Sequence, residues 1–344
     1  METIDLRSDT FTQPTIEMRE AMKDAVVGDD VFNEDPTINK LQDYSAKKLG
    51  KESALFLPSG TMGNLVSILT HCGRGDEIIL GNKSHIFLNE VGGISALGGI
   101  HPCILPNEDD GSILIDKIES AIRHENLQYP PTRLICLENT HNYCYGNPIS
   151  INYMKKVASL AKRYNLEIHL DGARIFNAAI ALGVDVREIT KYVNTLMFSL
   201  SKGLSAPVGS IICGTKEFIL KAKKNRKMVG GGMRQSGHLA AAGLIALEKQ
   251  SKRLNEDHDN AKNFSELISK ISEIQINLNN VKTNIVFFRI NTNKINGQEF
   301  VNKLSECGVK ILEIQPKIFR AVFHRGVTKN QTIEAAKILN EILE

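Results

Sequence analysis

The sequence is poor in the features that mark metal-binding, membrane and nucleic-acid proteins. Its six cysteines (Cys72, Cys103, Cys136, Cys144, Cys213 and Cys307) form no C-x-x-C pair, and no histidines lie near them at zinc-finger spacing. A zinc module and a disulfide framework are thereby disfavoured, and several of these residues read as small buried hydrophobes. No apolar stretch approaches the ~20 residues that span a bilayer, and the opening METIDLRSDT lacks a leader-type apolar core. Reduced thiols and a cytoplasmic address are expected. Charge of one sign is also lacking: the net charge of +3 is small for 344 residues, and KAKKNRK at 221–227 is the one basic cluster. It reads as a solvated helix face, so no nucleic-acid partner is expected. Internal repeats and low-complexity linkers are missing too.

What is present is an ordinary globular composition, 42% hydrophobic and 24% charged. The length is large for one core, so one large domain and a smaller one are expected. Apolar runs of strand length, SALFL (53–57), DEIIL (76–80), RLICLE (133–138), LEIHLD (166–171), TLMFSL (195–200) and VGSIIC (208–213), alternate with segments of helical period. Among the latter are INKLQDYSAKKLG, which Gly50 would end, and INYMKKVASLAKRY. This alternation predicts an α/β domain over residues 1–250, with a mostly parallel sheet flanked by helices. The last strongly apolar helix is HLAAAGLIALEK, 238–249; beyond about Ser251 the chain turns polar and rich in asparagine. The strands NIVFFRI and KIFRAVFH, with helices around QEFVNKLSEC and TIEAAKILNEIL, predict a small C-terminal α+β domain over 251–344. A cleft between the two is a natural ligand site.

Three pieces carry chemistry. LPSGTMGN (57–64) follows a strand and opens a helix, placing Gly60 and Thr61 where free backbone N–H groups favour an anion. It lacks the Walker lysine and the dinucleotide spacing, so a single phosphate fits best. LDGAR (170–174) puts Asp171 at a strand end, either as a helix N-cap or as a carboxylate aimed at a cationic heterocyclic nitrogen. SLSKGLSAPVG (199–209) puts Lys202 where a strand runs out, a costly position for an unpaired ammonium and a suitable one for a reactive amine. An aspartate for a pyridinium, a lysine for a Schiff base and a turn for one phosphate are the parts that pyridoxal 5'-phosphate requires.

With these pieces in place, IDLRSDT, VGDDVFNEDPT, LFLPSGTMGN, SHIF, ENTHN, HLDGARIFNAA, SLSKGLSAPVGS and KMVGGGMRQSG together resemble the threonine aldolases, which are fold type I pyridoxal phosphate enzymes. The similarity runs in order from Ile4 to about Leu247, and continues weakly through VKTNIVFFR and RAVFH. The resemblance implies that Lys202 is the Schiff-base lysine and Asp171 the partner of the pyridine nitrogen. Gly60 and Thr61 would bind the phosphate. Arg234 would reach a phosphate from a neighbouring subunit; its alternative is a surface ion pair. His85 would stack over the ring and serve proton transfer; its alternative is a hydrogen-bonded core histidine. Ser8, Arg174 and Arg320 would hold the substrate carboxylate, work that suits the planar arginine fork.

One departure stands out. Family members commonly carry histidine and phenylalanine where this chain has Gln128 and Tyr129. Glutamine can hydrogen-bond a β-hydroxyl across a subunit boundary but cannot act as a base. Either His85 or a water then moves that proton, or the preference at the β-carbon differs. The implied reaction is cleavage of L-threonine or L-allo-threonine to glycine and acetaldehyde, extending to other β-hydroxy amino acids, in a homo-oligomer, a tetramer built as a dimer of dimers with shared sites. No metal ligand set is assigned. Alternatives are another pyridoxal phosphate reaction, β-elimination or transamination, and more remotely a non-catalytic phosphate-binding protein.

Overall fold

The computed structural model describes residues 3–344. Its larger sheet has seven strands: β1 (Ser53–Leu57), β2 (Glu77–Gly81), β3 (His101–Leu105), β4 (Thr132–Glu138), β5 (Glu167–Asp171), β6 (Thr195–Ser199) and β7 (Ser210–Gly214). Their order is β1-β7-β6-β5-β4-β2-β3. Strand β7 runs antiparallel to both its neighbours, and the other pairings are parallel. Strands β2, β6 and β7 are buried along their whole length, as expected for a sheet covered by helices on both faces. The edge strand β3, HPCIL, has no counterpart among the expected strands. It is half exposed and contains Pro102, which an edge tolerates because it has no partner on one side to receive an N–H.

Local signals explain the helix ends. The Asp35 carboxylate accepts from Thr37 N and Ile38 N to start the helix Pro36–Leu49, and Gly50 ends it in the left-handed conformation at φ 65° and ψ 35°. The basic run lies on the helix Lys216–Met228, where Lys221, Lys224 and Lys227 are exposed. Arg226 departs from the solvated-face expectation: it is buried, with Nη2 2.7 Å from Asp30 Oδ2 and Nη1 donating to Phe56 O at 2.8 Å. A guanidinium at that depth persists because it is paired and hydrogen-bonded.

The core around the larger sheet includes Phe56, Ile135, Leu170 and Phe198. A separate core gathers Phe264, Phe288, Phe300, Phe319 and Leu339 beneath a four-stranded antiparallel sheet. In spatial order its strands are Leu312–Gln315, Ile318–Val322, Ile285–Ile290 and Ile274–Gln275. Ile4 and Leu6 pack into this second core, and Ile4–Asp5 pairs in parallel with Val309–Lys310. The start of the chain is thereby pinned beside the C-terminal sheet, so the residues that follow it, Ser8 and Asp9, face the C-terminal ends of β4, β5 and β6. In open α/β sheets ligands bind at that edge. All six cysteines are free, and four of them are buried. Among the described residues no helix is long and apolar enough to cross a membrane.

Candidate active site

Glu138 ends β4 and Asp171 ends β5, while Lys202 lies three residues beyond the end of β6. Three parallel strands therefore deliver two carboxylates and an amine to one edge of the sheet. With Ser8, His85, Asn142, Tyr143, Arg174 and Arg320 they line a cavity of about 320 Å³, a volume at the small end of the range for ligand sites. Leu312 and Arg320 come from the C-terminal sheet, so the cavity lies between the two cores.

Asp171 is 1% exposed. Its Oδ1 accepts from Ala173 N at 3.0 Å and its Oδ2 from Asn64 Nδ2 at 2.9 Å. The helix that follows begins at Ile175 with Arg174 at the cap position, so Asp171 closes a turn before the helix and is not its N-cap. Asn64 lies one turn inside the helix Gly60–His71, whose N-cap Ser59 accepts from Met62 N at 3.2 Å. The amide contact ties the start of that helix to the strand-end carboxylate. Gly60 and Thr61 occupy its first positions, where backbone N–H groups lack partners inside the helix.

His85 opens a short helix, its backbone N–H donating to Glu138 Oε2 at 2.7 Å. Its Nδ1 is 2.9 Å from Glu90 Oε1. Burial alone would depress the imidazole pKa, but the Glu90 hydrogen bond and the negative charges of Asp171 and Glu90 outweigh it and raise the value. Burial likewise raises Glu90, against the hydrogen bonds from His85 and Asn64. His85, Glu90 and Asp171 offer donor atoms within 4.8 Å of one another; each is engaged by a neighbouring side chain, so the cluster reads as a hydrogen-bond network.

The opposite wall is cationic. Arg174 Nε and Nη2 each donate at 2.7 Å to the carboxylate of the buried Asp9. Burial would push Asp9 up, yet the Arg174 charge and hydrogen bonds carry it down to about 2. Arg320 has no such partner: Nη1 donates to Asn142 Oδ1 at 3.0 Å and Nη2 to Arg7 O at 3.3 Å, while its buried Nε has no hydrogen bond. Burial and the Arg174 charge lower its pKa. Lys202 is lowered for the same two reasons, against the pull of Asp9, Asp171 and Glu138. Ser8 stands at the rim, accepting from Thr10 N at 3.2 Å.

The structure thus brings Lys202, Asp171, His85, Arg174, Arg320 and Ser8 together. Gly60 and Thr61 connect to them through Asn64 but do not line the cavity. Arg234 and Gln128 lie apart. Arg234 donates to Asp29 Oδ2 at 3.0 Å in a half-exposed ion pair, the alternative geometry considered for it, and Gln128 sits on the exposed loop before β4. Sequence reasoning missed Asp9, Asn64, Glu90, Glu138 and Asn142 as functional groups, although Asp9, Asn64, Glu138 and Asn142 fall inside the quoted motifs.

These residues fit pyridoxal phosphate. There is a carboxylate held for a cationic ring nitrogen, an amine biased toward its free form, unpaired N–H groups at a helix start, and a buried guanidinium with an unused donor. The comparisons agree. The beta-eliminating lyase family profile matches residues 5–291. The chain is 47% identical over 332 residues to low-specificity L-threonine aldolase 1 of Arabidopsis thaliana, covering 95% of this chain and 93% of that protein. It is 44% identical over 335 residues to the low specificity L-threonine aldolase of Escherichia coli K12, covering 97% of each. In three dimensions it resembles a Leishmania major threonine aldolase, with a TM-score of 0.84 at 16% identity over 99% of this chain and all of the other. The fold is that of the fold type I pyridoxal phosphate enzymes, and the chain belongs to the threonine aldolases, pyridoxal phosphate-dependent lyases of the beta-eliminating lyase family.

Proposed function

We propose that the protein cleaves L-threonine or L-allo-threonine to glycine and acetaldehyde, and accepts other β-hydroxy amino acids. The observation that carries this reading is Lys202 lying between a cationic wall with an unused guanidinium donor and an anionic wall containing an imidazole–carboxylate pair. Bound pyridoxal phosphate supplies a conjugated ring that takes up the electron pair released at the α-carbon. Lys202 would hold its aldehyde carbon, Asp171 its ring nitrogen, and Gly60 and Thr61 its phosphate.

The chain's own groups do the rest. Arg320, Ser8 and Arg174, whose Nη1 makes only a long 3.4 Å hydrogen bond to Asn142 Oδ1, orient the substrate carboxylate. His85 Nδ1 is tied to Glu90, so Nε2 is the nitrogen left to take the β-hydroxyl proton. Gln128 cannot take it, being uncharged and without a basic nitrogen. Burial and the Arg174 charge bias the Lys202 amine toward its free form, the form that can take a proton. In this reading the large unit spans residues 1–250 and the small one 251–344, the small one contributing Leu312 and Arg320 to the cavity. We place the protein in the cytoplasm.

Incubation with L-threonine, L-allo-threonine and their D forms, with glycine and acetaldehyde assayed, tests the reading. Stoichiometric products from the L forms are expected, and Lys202→Ala should abolish turnover. 2-Oxobutyrate with ammonia as the main product would transfer the protein to β-elimination, and 3-hydroxy-2-oxobutyrate would transfer it to transamination.

The active unit in this reading is a homo-oligomer, a tetramer with sites shared across a dimer boundary. Apolar surface supports it: Phe32 is 68% exposed near the Arg234–Asp29 pair, Val91 is 96% exposed beside Glu90, and Leu127 lies fully exposed next to Gln128. Mixing inactive Lys202→Ala with inactive Arg234→Ala under subunit exchange should restore activity, because one site of each mixed dimer then carries neither defect. Mixed dimers confirmed by mass spectrometry but inactive would place both residues in one chain's site.

A further inference from the structure

Behind Asp171 runs a line of polar groups, fully buried except for the half-buried His71 at its outer end, that the reaction as described leaves unused. His169 lies two residues before Asp171 on β5 and so points to the same face of the sheet. Thr195 is its register partner on β6. Asn64 and Thr195 are 0% and 1% exposed, and His169 is 0%. The contacts are His71 Nε2 to Thr195 Oγ1 at 2.8 Å, Thr195 Oγ1 to His169 Nδ1 at 3.0 Å, and His169 Nε2 to Asn64 Oδ1 at 3.1 Å. From Asn64 the Nδ2 group reaches Asp171 Oδ2 at 2.9 Å and Glu90 Oε1 at 2.7 Å.

The direction of every proton follows from the last pair. Two carboxylates accept only, so the Asn64 amide must turn its NH₂ toward them and its oxygen toward His169. His169 Nε2 must then carry a proton, and burial keeps the ring neutral by holding its pKa near 4. Its Nδ1 is therefore an acceptor, filled by the Thr195 hydroxyl proton. The Thr195 oxygen in turn accepts from His71 Nε2–H, in a ring that burial and His169 hold neutral with a pKa near 3. Each dipole points the same way, toward Asp171 and Glu90, and bonds aligned in series reinforce one another at low dielectric.

We propose that His71, Thr195, His169 and Asn64 are positioning residues forming a one-way hydrogen-bond chain that holds the Asn64 amide across the two carboxylates Asp171 and Glu90, thereby coupling the ring partner to the His85–Glu90 pair. The proposal rests on the pyridoxal phosphate reading of the cavity. Thr195 supplies the donor that satisfies the buried His169 Nδ1. Without its hydroxyl that nitrogen is left unpaired, and the imidazole is held less firmly against the Asn64 amide.

The test is Thr195→Val, an exchange of hydroxyl for methyl, with Thr195→Ser as the restoring variant. Three readouts are taken. Nitrogen-15 NMR of histidine-labelled, cofactor-free protein reports the His169 tautomer. Turnover of L-threonine is measured on the loaded enzyme. Exchange of the glycine α-proton in deuterated water reports a step that needs Asp171 but no β-hydroxyl base. The wild type should show His169 as Nε2–H. Thr195→Val should shift the His169 Nδ1 resonance, which loses its donor, and slow turnover and glycine exchange in parallel by about tenfold at unchanged KM, less than the ~100-fold of removing a group that meets the reacting charge directly. Thr195→Ser should recover both. A valine variant with lowered melting temperature but wild-type rates, or a wild type with the opposite tautomer, would reduce the chain to packing and overturn the proposal. Where the valine variant does not fold, His71→Leu, which removes the outermost donor, is held to the same parallel loss. Failure of the wild type to take up pyridoxal phosphate overturns the underlying reading instead, a separate result from the tautomer of the cofactor-free protein.

Discussion

On one side of the cavity two guanidiniums, Arg174 and Arg320, face a single carboxylate, Asp9. On the other, Asp171 and Glu90 flank a single imidazole, His85, whose backbone N–H donates to Glu138. The first wall has cationic charge to spare and the second anionic charge, with Lys202 between them. In the proposed reading an amino acid entering this field would be oriented before any bond changes, its carboxylate on the arginine side and its reacting carbons toward the carboxylates and imidazole. The difference teaches which side governs binding and which governs rate. Preorganised charge that meets the developing electron pair acts on kcat, whereas charge that meets a spectator carboxylate acts mainly on KM.

The largest expected effect is on the anionic wall. Asp171→Asn keeps the shape but offers one acceptor oxygen where Asn64 Nδ2 and Ala173 N use two, and it removes the charge that in the proposed reading would hold a cationic ring nitrogen. Turnover should fall by at least ~100-fold with cofactor still bound, the scale for losing one well-placed electrostatic group. Steady-state kinetics on the loaded enzyme would check this; near-normal kcat would reduce Asp171 to the turn-closing role its Oδ1 already has toward Ala173 N.

On the cationic wall the prediction takes the opposite form. Arg320→Gln leaves an amide able to reach Asn142 but no charge for a carboxylate. A charge-assisted hydrogen bond contributes about 1.5–3 kcal/mol, so kcat/KM should drop by roughly tenfold or more, chiefly through KM. A loss confined to kcat would erase the distinction between the walls. Arg174 is less informative, because truncating it would also strand the buried Asp9 carboxylate, a change that costs about 3–5 kcal/mol of stability.

How much of this was legible beforehand depends on whether a signal was local. Strand ends announced themselves: apolar runs closing on Asp171 and Lys202 are short-range patterns, and so is the glycine that ends the helix Pro36–Leu49. The edge strand HPCIL was hidden by a proline that only its edge position excuses. Asp9 is a common acid in a common turn, and nothing near it foretells a bidentate pair with a residue 165 positions away. Asn64 and His169 likewise meet through the register of the sheet and the packing of the helix upon it. Such pairings are tertiary facts, and one sequence does not contain their distances.

The smallest expected effect concerns the cavity mouth, where neither wall's charge dominates. Tyr143 lines the cavity, and its hydroxyl oxygen accepts from Asn89 Nδ2 at 3.3 Å. With a lone pair so engaged, the phenolic proton is free to point inward, and a tyrosine can donate there where Gln128 cannot supply a base. The natural acceptor is the oxygen on the β-carbon of the substrate, which leaves as an aldehyde oxygen. Removing the hydroxyl in Tyr143→Phe deletes one neutral hydrogen bond of about 1 kcal/mol, so kcat/KM for L-threonine should fall about fivefold. Glycine α-proton exchange, in which no β-oxygen takes part, should keep its wild-type rate. The ratio of L-threonine to L-allo-threonine turnover should shift as well, because the two place that oxygen differently against a fixed donor. If threonine cleavage and glycine exchange fall together, Tyr143 acts on the whole site through packing, and the β-oxygen contact is lost as an explanation.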